Sequence, residues 1–113
     1  MTIVTISVAS EADTSERMRR AFRGEAQGAF LSFPSVEMLW RILTPRRWDL
    51  LRMMTGAGPL AIREVARRTG RDIKSVHGDV IALLKAGVVD RTDDGRVVFP
   101  YDAVHVDFVM RAA

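Results

Sequence analysis

Hydrophobic and polar positions change their period along this chain, and each change marks an element. From Ile3 to Val8 they alternate, with Val4, Ile6 and Val8 on one side and Thr5 and Ser7 on the other, so the spacing predicts a strand. Between Ser10 and Gly28 the chain turns polar. Asp13 can cap a helix that carries Glu16 and several arginines, with Met18, Ala21, Phe22 and Ala26 as a thin apolar stripe. Gly24 and Gly28 weaken that helix, and residues 1–34 read as an arm that must pack on something else.

From Ser35 the period is helical. Val36, Leu39, Trp40 and Leu43 recur at i, i+3, i+4 and i+7, the spacing of one buried face. Thr44 can then cap, and Pro45 start, a helix with Trp48, Leu50, Leu51 and Met54 inward, ended by Gly56, Gly58 and Pro59. A shorter helix follows, with Ile62, Val65, Ala66 and Thr69 on one face, Leu60 placed to staple onto Val65, and Gly70 as terminator. Asp72 caps a helix over 72–86 whose Ile73, Val76, Val80, Leu83 and Leu84 point inward. Period two returns from Val88 to Thr92 and from Arg96 to Phe99. Asp94-Gly95 lies between these runs and predicts a hairpin with a two-residue type I′ turn. Finally, Val104, Val106, Phe108 and Met110 alternate with His105, Asp107 and Val109, which predicts a last strand, free to pair with the first or across a dimer.

Three helices followed by a hairpin define the expected class as α+β: a winged helix-turn-helix over 35–113 with a C-terminal strand, preceded by a strand-helix arm over 1–34. A chain of 113 residues with 48% hydrophobic residues fits one domain and one core. Cysteine is absent, which removes disulfides, Cys-based zinc sites and thiol nucleophiles together. The apolar run before Ser10 is too short for a signal segment or a membrane span, so a cytoplasmic protein without membrane contact is expected.

The net charge of +3 conceals an uneven distribution. Between Pro45 and Lys74 stand eight basic residues, Arg46, Arg47, Arg52, Arg63, Arg67, Arg68, Arg71 and Lys74, against Asp49, Glu64 and Asp72. The excess of five in this stretch outweighs the charge of the whole chain, and it falls where a helix-turn-helix meets phosphates. On the 72–86 helix, Lys74, Gly78, Ala82 and Lys85 lie near the centre of the outward face, with Ser75 beside them and His77 at the core margin. Gly78 costs about 1 kcal/mol in mid-helix relative to alanine, a cost that close approach of DNA, close internal packing or simple surface tolerance would each explain. Base-edge contacts are expected from the start of this helix, while Arg46, Arg47, Arg63, Arg67 and Arg68 would hold the backbone. At the hairpin, Asp93 and Asp94 make the tip acidic, and only Arg91 and Arg96 offer help to a DNA contact.

Catalysis has little in its favour. His77 and His105 lie on different elements, there is no glycine-rich phosphate loop, and no spacing of His, Asp and Glu makes a metal site. The expectation is a non-enzyme without cofactor or metal. Val4, Ile6, Val8 and Phe22, left exposed by an arm, together with Val106 and Phe108, are the expected surface of a homodimer.

The runs Leu43-Thr-Pro-Arg-Arg-Trp-Asp-Leu-Leu51, Gly58-Pro-Leu-Ala-Ile-Arg-Glu-Val-Ala-Arg-Arg-Thr-Gly70, Arg71-Asp-Ile-Lys-Ser-Val-His77, Asp79-Val and Pro100-Tyr-Asp-Ala-Val-His-Val106 resemble a group of small prokaryotic predicted transcriptional regulators, broadly similar to winged-helix regulators of the MarR and ArsR kind. The resemblance covers roughly residues 33–108. It implies cofactor-free, sequence-specific binding of double-stranded DNA, often by a dimer, and an autoregulator that can act as an antitoxin for an adjacent toxin-like protein. Arg71, Lys74, Ser75 and His77 match the recognition-helix stretch and become expected DNA contacts. Ala61 departs from the Ser or Thr that commonly starts the preceding helix. The alternative expectation is an interaction module in which the helices are only scaffold and the arm clasps a partner protein.

Overall fold

The computed structural model describes residues 1–8, 15–16, 18–20, 23, 28–110 and 112. The chain is α+β. Strands β1 (Ile3–Val8) and β2 (Ala29–Phe33) precede helices α1 (Val36–Ile42), α2 (Pro45–Met54), α3 (Ile62–Thr69) and α4 (Ile73–Lys85). Strands β3 (Asp90–Arg91), β4 (Val97–Val98) and β5 (Ala103–Asp107) follow.

β1 is the middle strand of a three-stranded sheet in the order β2-β1-β5, parallel to both neighbours. Parallel neighbours need a crossover of a dozen residues or more, and the 20 positions separating β1 from β2 satisfy that length. The expected capping by Asp13 and the stripe residues Ala21, Phe22 and Ala26 lie outside the described residues. Within that segment Glu16 draws Arg19 to 2.9 Å and Arg20 and Arg23 to 3.4 Å.

Two expectations change here. The alternation over 3–8 does form a strand, but Val4 and Ile6 are fully buried against the chain's own helices instead of projecting from an arm. They are therefore not available as a dimer surface in this fold. The residues before 34 also hold a strand that the pattern reading missed, β2, whose Phe33 enters the same core. A boundary at 34 thus separates no second core: β1 and β2 pack on the helices they precede. On the opposite face of the sheet, Ser7 and Ser32 sit in register with their hydroxyls 3.3 Å apart, which satisfies the buried Ser7.

The helices follow the pattern closely. Ser35 accepts from the Met38 N–H, Thr44 from Arg47 and Asp72 from Ser75, so three of the four helices have the side-chain cap their sequences offer. Ala61 gives α3 none, as the departure at that position implied. Leu39, Leu43, Leu50, Met54, Val65, Val76, Val80 and Leu83 are fully buried. Two residues expected inward point out. Trp40 is 54% exposed and meets Phe108 edge-on at 6.3 Å, and Ile73, in the first turn of α4, is 48% exposed. Gly70 turns left-handed (φ 65°, ψ 27°), and the N–H of Arg71 reaches back to the Ala66 carbonyl, which ends α3 sharply and starts α4 three residues later.

β3 and β4 pair antiparallel, and Leu60, just before α3, exchanges two backbone hydrogen bonds of 2.8 Å with Val97. The hairpin turn is not type I′. Only Gly95 has positive φ (84°) and Asp94 does not, whereas I′ requires it at both central residues. The turn is closed instead by the Gly95 N–H donating to the Thr92 carbonyl, with Thr92 bonding Arg96 behind it. Each paired run is two residues long, shorter than the alternation predicted.

Candidate nucleic-acid interface

Of the twelve residues expected to meet DNA, the nine basic ones divide into three groups once their partners are known. Arg47 and Arg71 form the first group. The Arg47 Nε donates to Asp79 at 3.1 Å and its Nη1 to the Ile42 carbonyl at 3.0 Å, while Arg71 Nη2 donates to the other Asp79 oxygen at 2.7 Å. All three side chains are about four-fifths buried, with 17–21% of their surface accessible. Asp79 therefore clasps the start of α2 and the α3–α4 turn onto α4. Arg71 was an expected DNA contact and Arg47 an expected phosphate contact; both are tied to Asp79 within the fold, and this carboxylate was in no candidate set. Arg71 Nη1 is buried with no hydrogen-bond partner among the described residues.

Arg67, Arg68 and Arg96 form the second group. On α3, Glu64 accepts from Arg67 and Arg68, and these hydrogen bonds, Arg67's first, hold its carboxyl well below the usual carboxylate range, at about 2. Arg96 lies 3.2 Å from Asp94, whose carboxylate also accepts from the Thr92 hydroxyl; that hydroxyl is the main reason its pKa is lowered. The hairpin tip thus folds one of its two acids back on itself. All three arginines remain exposed, but Arg67 and Arg68 share one carboxylate and Arg96 has another.

The third group is free. Arg46, Arg63, Lys74 and Lys85 are exposed and have no ion-pair partner among the described residues. Three of them share a position: Arg46, Arg63 and Lys74 are each the second residue of their helix, in α2, α3 and α4. The N-terminal end of a helix carries partial positive charge, and a cation there is disfavoured by about 0.3–1 kcal/mol. Neither α2 nor α4 has an acid in its first turn to offset it.

Around Lys74 the first two turns of α4 present Ile73, Ser75, His77 and Gly78 to solvent, and Ile73, Lys74 and His77 border an open depression of about 300 Å³. His77 lies on the open face rather than at the core margin. A methyl group built on Gly78 would meet nothing within 4 Å, so internal close packing does not account for that glycine. Lys85 lies at the far end of the helix, beyond reach of this cluster along the axis.

Of the residues expected at a dimer surface, Val8 is half-buried, Phe22 lies outside the described residues, Val106 is 46% exposed and Phe108 is half-buried under Trp40. Among the described residues no three His, Asp or Glu side chains group as metal ligands, and no helix is long and apolar enough to cross a membrane.

These features define a class: an α+β protein in which four helices, three of them with side-chain caps, and a short hairpin are backed by a parallel sheet, with three of the cations unpaired among the described residues standing at helix starts. The chain belongs to the HVO_A0114 family, whose model matches residues 42–106, from the end of α1 through β5 and without β1 or β2. No curated protein and no solved structure matches it.

Proposed function

We propose that this chain is a winged-helix DNA-binding protein, with α3 and α4 as the helix-turn-helix, α4 as recognition helix and the β3–β4 hairpin as the wing. The observation that carries the reading is the N-terminal half of α4. Lys74, Ser75, His77 and Gly78 are exposed together, and among the described residues no side chain of theirs is hydrogen-bonded or ion-paired. Major-groove readers contact base edges with this part of the helix. Arg46 adds a helix start with no acid in its first turn, at which a cation is unfavourable until an anion arrives, and Arg63 adds an exposed cation at the start of α3; both suit phosphates flanking the groove. The antiparallel bridge from Leu60 to Val97 ties the hairpin to the entry of α3, and this supports a wing set at a fixed distance from the groove. The resemblance to MarR- and ArsR-like regulators points the same way, and with it regulation of the chain's own gene.

Titrating labelled duplexes from the DNA upstream of its gene, against a scrambled duplex, across a salt series tests this. Specific binding is expected to weaken as salt rises, with a log–log slope of about −0.9 per phosphate neutralised. Lys74→Ala, Arg46→Ala and Arg63→Ala should each lower the magnitude of the slope or the affinity without lowering the melting temperature. Absence of binding at low salt, or three variants indistinguishable from the wild type, overturns the reading.

A further inference from the structure

β5 ends the sheet, and its free side has a definite phase. The Ala103 N–H donates to the Thr2 carbonyl at 3.2 Å, and in a parallel ladder alternate residues bond across, so Ala103, His105 and Asp107 direct their backbone groups to β1. Val104 and Val106 direct theirs away from the sheet, where no backbone group of the described residues meets them. Such an open edge is a template for another strand. Its side chains are arranged in opposites about one point: His105 and Asp107 flank Val106 on one face, and both are exposed. On the other face Val106 is 46% exposed, next to Phe108 and the 54% exposed Trp40.

We infer that β5 pairs antiparallel with β5 of a second copy, with the two-fold axis at Val106, so that two three-stranded sheets become one of six strands. The phase admits this register. Val106 becomes a hydrogen-bonded pair with the partner's Val106, using the N–H and C=O that the sheet leaves outward. His105 then stands opposite the partner's Asp107 in the non-hydrogen-bonded position, where cross-strand side chains come closest, and the symmetry makes this contact twice. Val104 faces the partner's Phe108 in the same register, which continues the apolar face across the axis. A different protein would have to supply the same order of imidazole donor and carboxylate acceptor; a second copy supplies it by symmetry, since an isologous contact is self-complementary. The proposal concerns self-association alone and does not depend on the DNA reading.

Sedimentation equilibrium of the full chain without DNA tests it. A reversible dimer is expected. Val106→Pro removes only the outward N–H, a substitution edge strands tolerate, and should give monomer with an unchanged far-ultraviolet spectrum. Asp107→Arg, an exposed change with little bearing on folding, removes the carboxylate acceptor opposite His105 and sets a donor there instead, twice over, and should weaken the dimer by about tenfold or more. His105→Asp added to Asp107→Arg gives the Arg a carboxylate across the axis and should restore it. A wild-type chain that stays monomeric, an Asp107→Arg dimer of undiminished affinity, or a double variant no stronger than the single one overturns the inference.

Discussion

Replacing Asp79 with alanine removes the acceptor shared by Arg47 and Arg71 and leaves two guanidinium groups, each about four-fifths covered, without their counter-ion. Breaking a fully buried pair costs about 3–5 kcal/mol, whereas an exposed pair contributes about 0–1 kcal/mol. The residual exposure lets both arginine heads turn partly to water, which places the expected loss at about 2–3 kcal/mol. For a chain of this size each kcal/mol moves the melting temperature by about 4 °C, so Asp79→Ala should melt about 8–12 °C lower. Thermal and urea unfolding read this directly, and the loss should be nearly the same at low and high salt, because covered pairs are weakly screened. The two arginines should differ. Arg47 also holds the Ile42 carbonyl, whereas Arg71 leaves Nη1 unsatisfied in the interior, so Arg47→Ala should cost more than Arg71→Ala. A fall of less than about 2 °C for Asp79→Ala, or the reverse order of the two arginines, refutes the structural role given to this clasp.

Gly78→Ala should raise stability by about 0.5–1 kcal/mol, since space surrounds the new methyl group, while weakening DNA binding; a variant that gains stability with full affinity removes close approach of DNA as the reason for the glycine. Glu64→Gln releases Arg67 and Arg68 and should steepen the salt dependence of DNA binding by up to about 1.8 in log–log slope. The Glu64 carboxyl, depressed from 4.5 to about 2, favours the fold above its ordinary value and loses that contribution as pH falls toward 2, which carboxyl NMR titration follows. Gly95→Ala forces a methyl group into left-handed backbone (φ 84°) and should destabilise the hairpin by about 1–2 kcal/mol, read by urea unfolding.

What the pattern of residues revealed and what it withheld have separate physical causes. Helix positions, two of the caps and the Gly70 stop were legible because each depends on neighbours within four residues, and the structure keeps them: Thr44 and Asp72 cap as read, and Ser35, where the helical period begins, caps as well. β1 and β5 were legible as strands but not as partners, since alternation gives a face and no address; their register joins residues 100 apart. β2 was missed although Ala29, Leu31 and Phe33 alternate with Phe30 and Ser32, a run short enough to be lost behind the polar segment before it. Among the candidate contacts, the basic excess over 45–74 was counted correctly and its meaning shifted. Asp79 stands outside that stretch, 32 residues from Arg47, and pairs with two of its arginines within the fold. The one available signal was that Asp79 is the sole acid inside α4, beside the buried Val80.

The central place of β1 has a consequence for the order in which the chain can fold. β1 is made before any other element described, yet its neighbour β5 lies about a hundred residues later, and Thr2 is gripped from both sides by Asp102. While ribosomes extend the chain, α1–α4 and the hairpin can close largely on local contacts, but Val4 and Ile6 have no complete seat until residue 107 has emerged. The strand synthesised first is thus among the last secured, and pairing at such separation is slow. For that interval the chain carries an apolar strand whose β5-side edge is open, which makes the nascent state, more than the finished fold, the point at which this protein is exposed to aggregation.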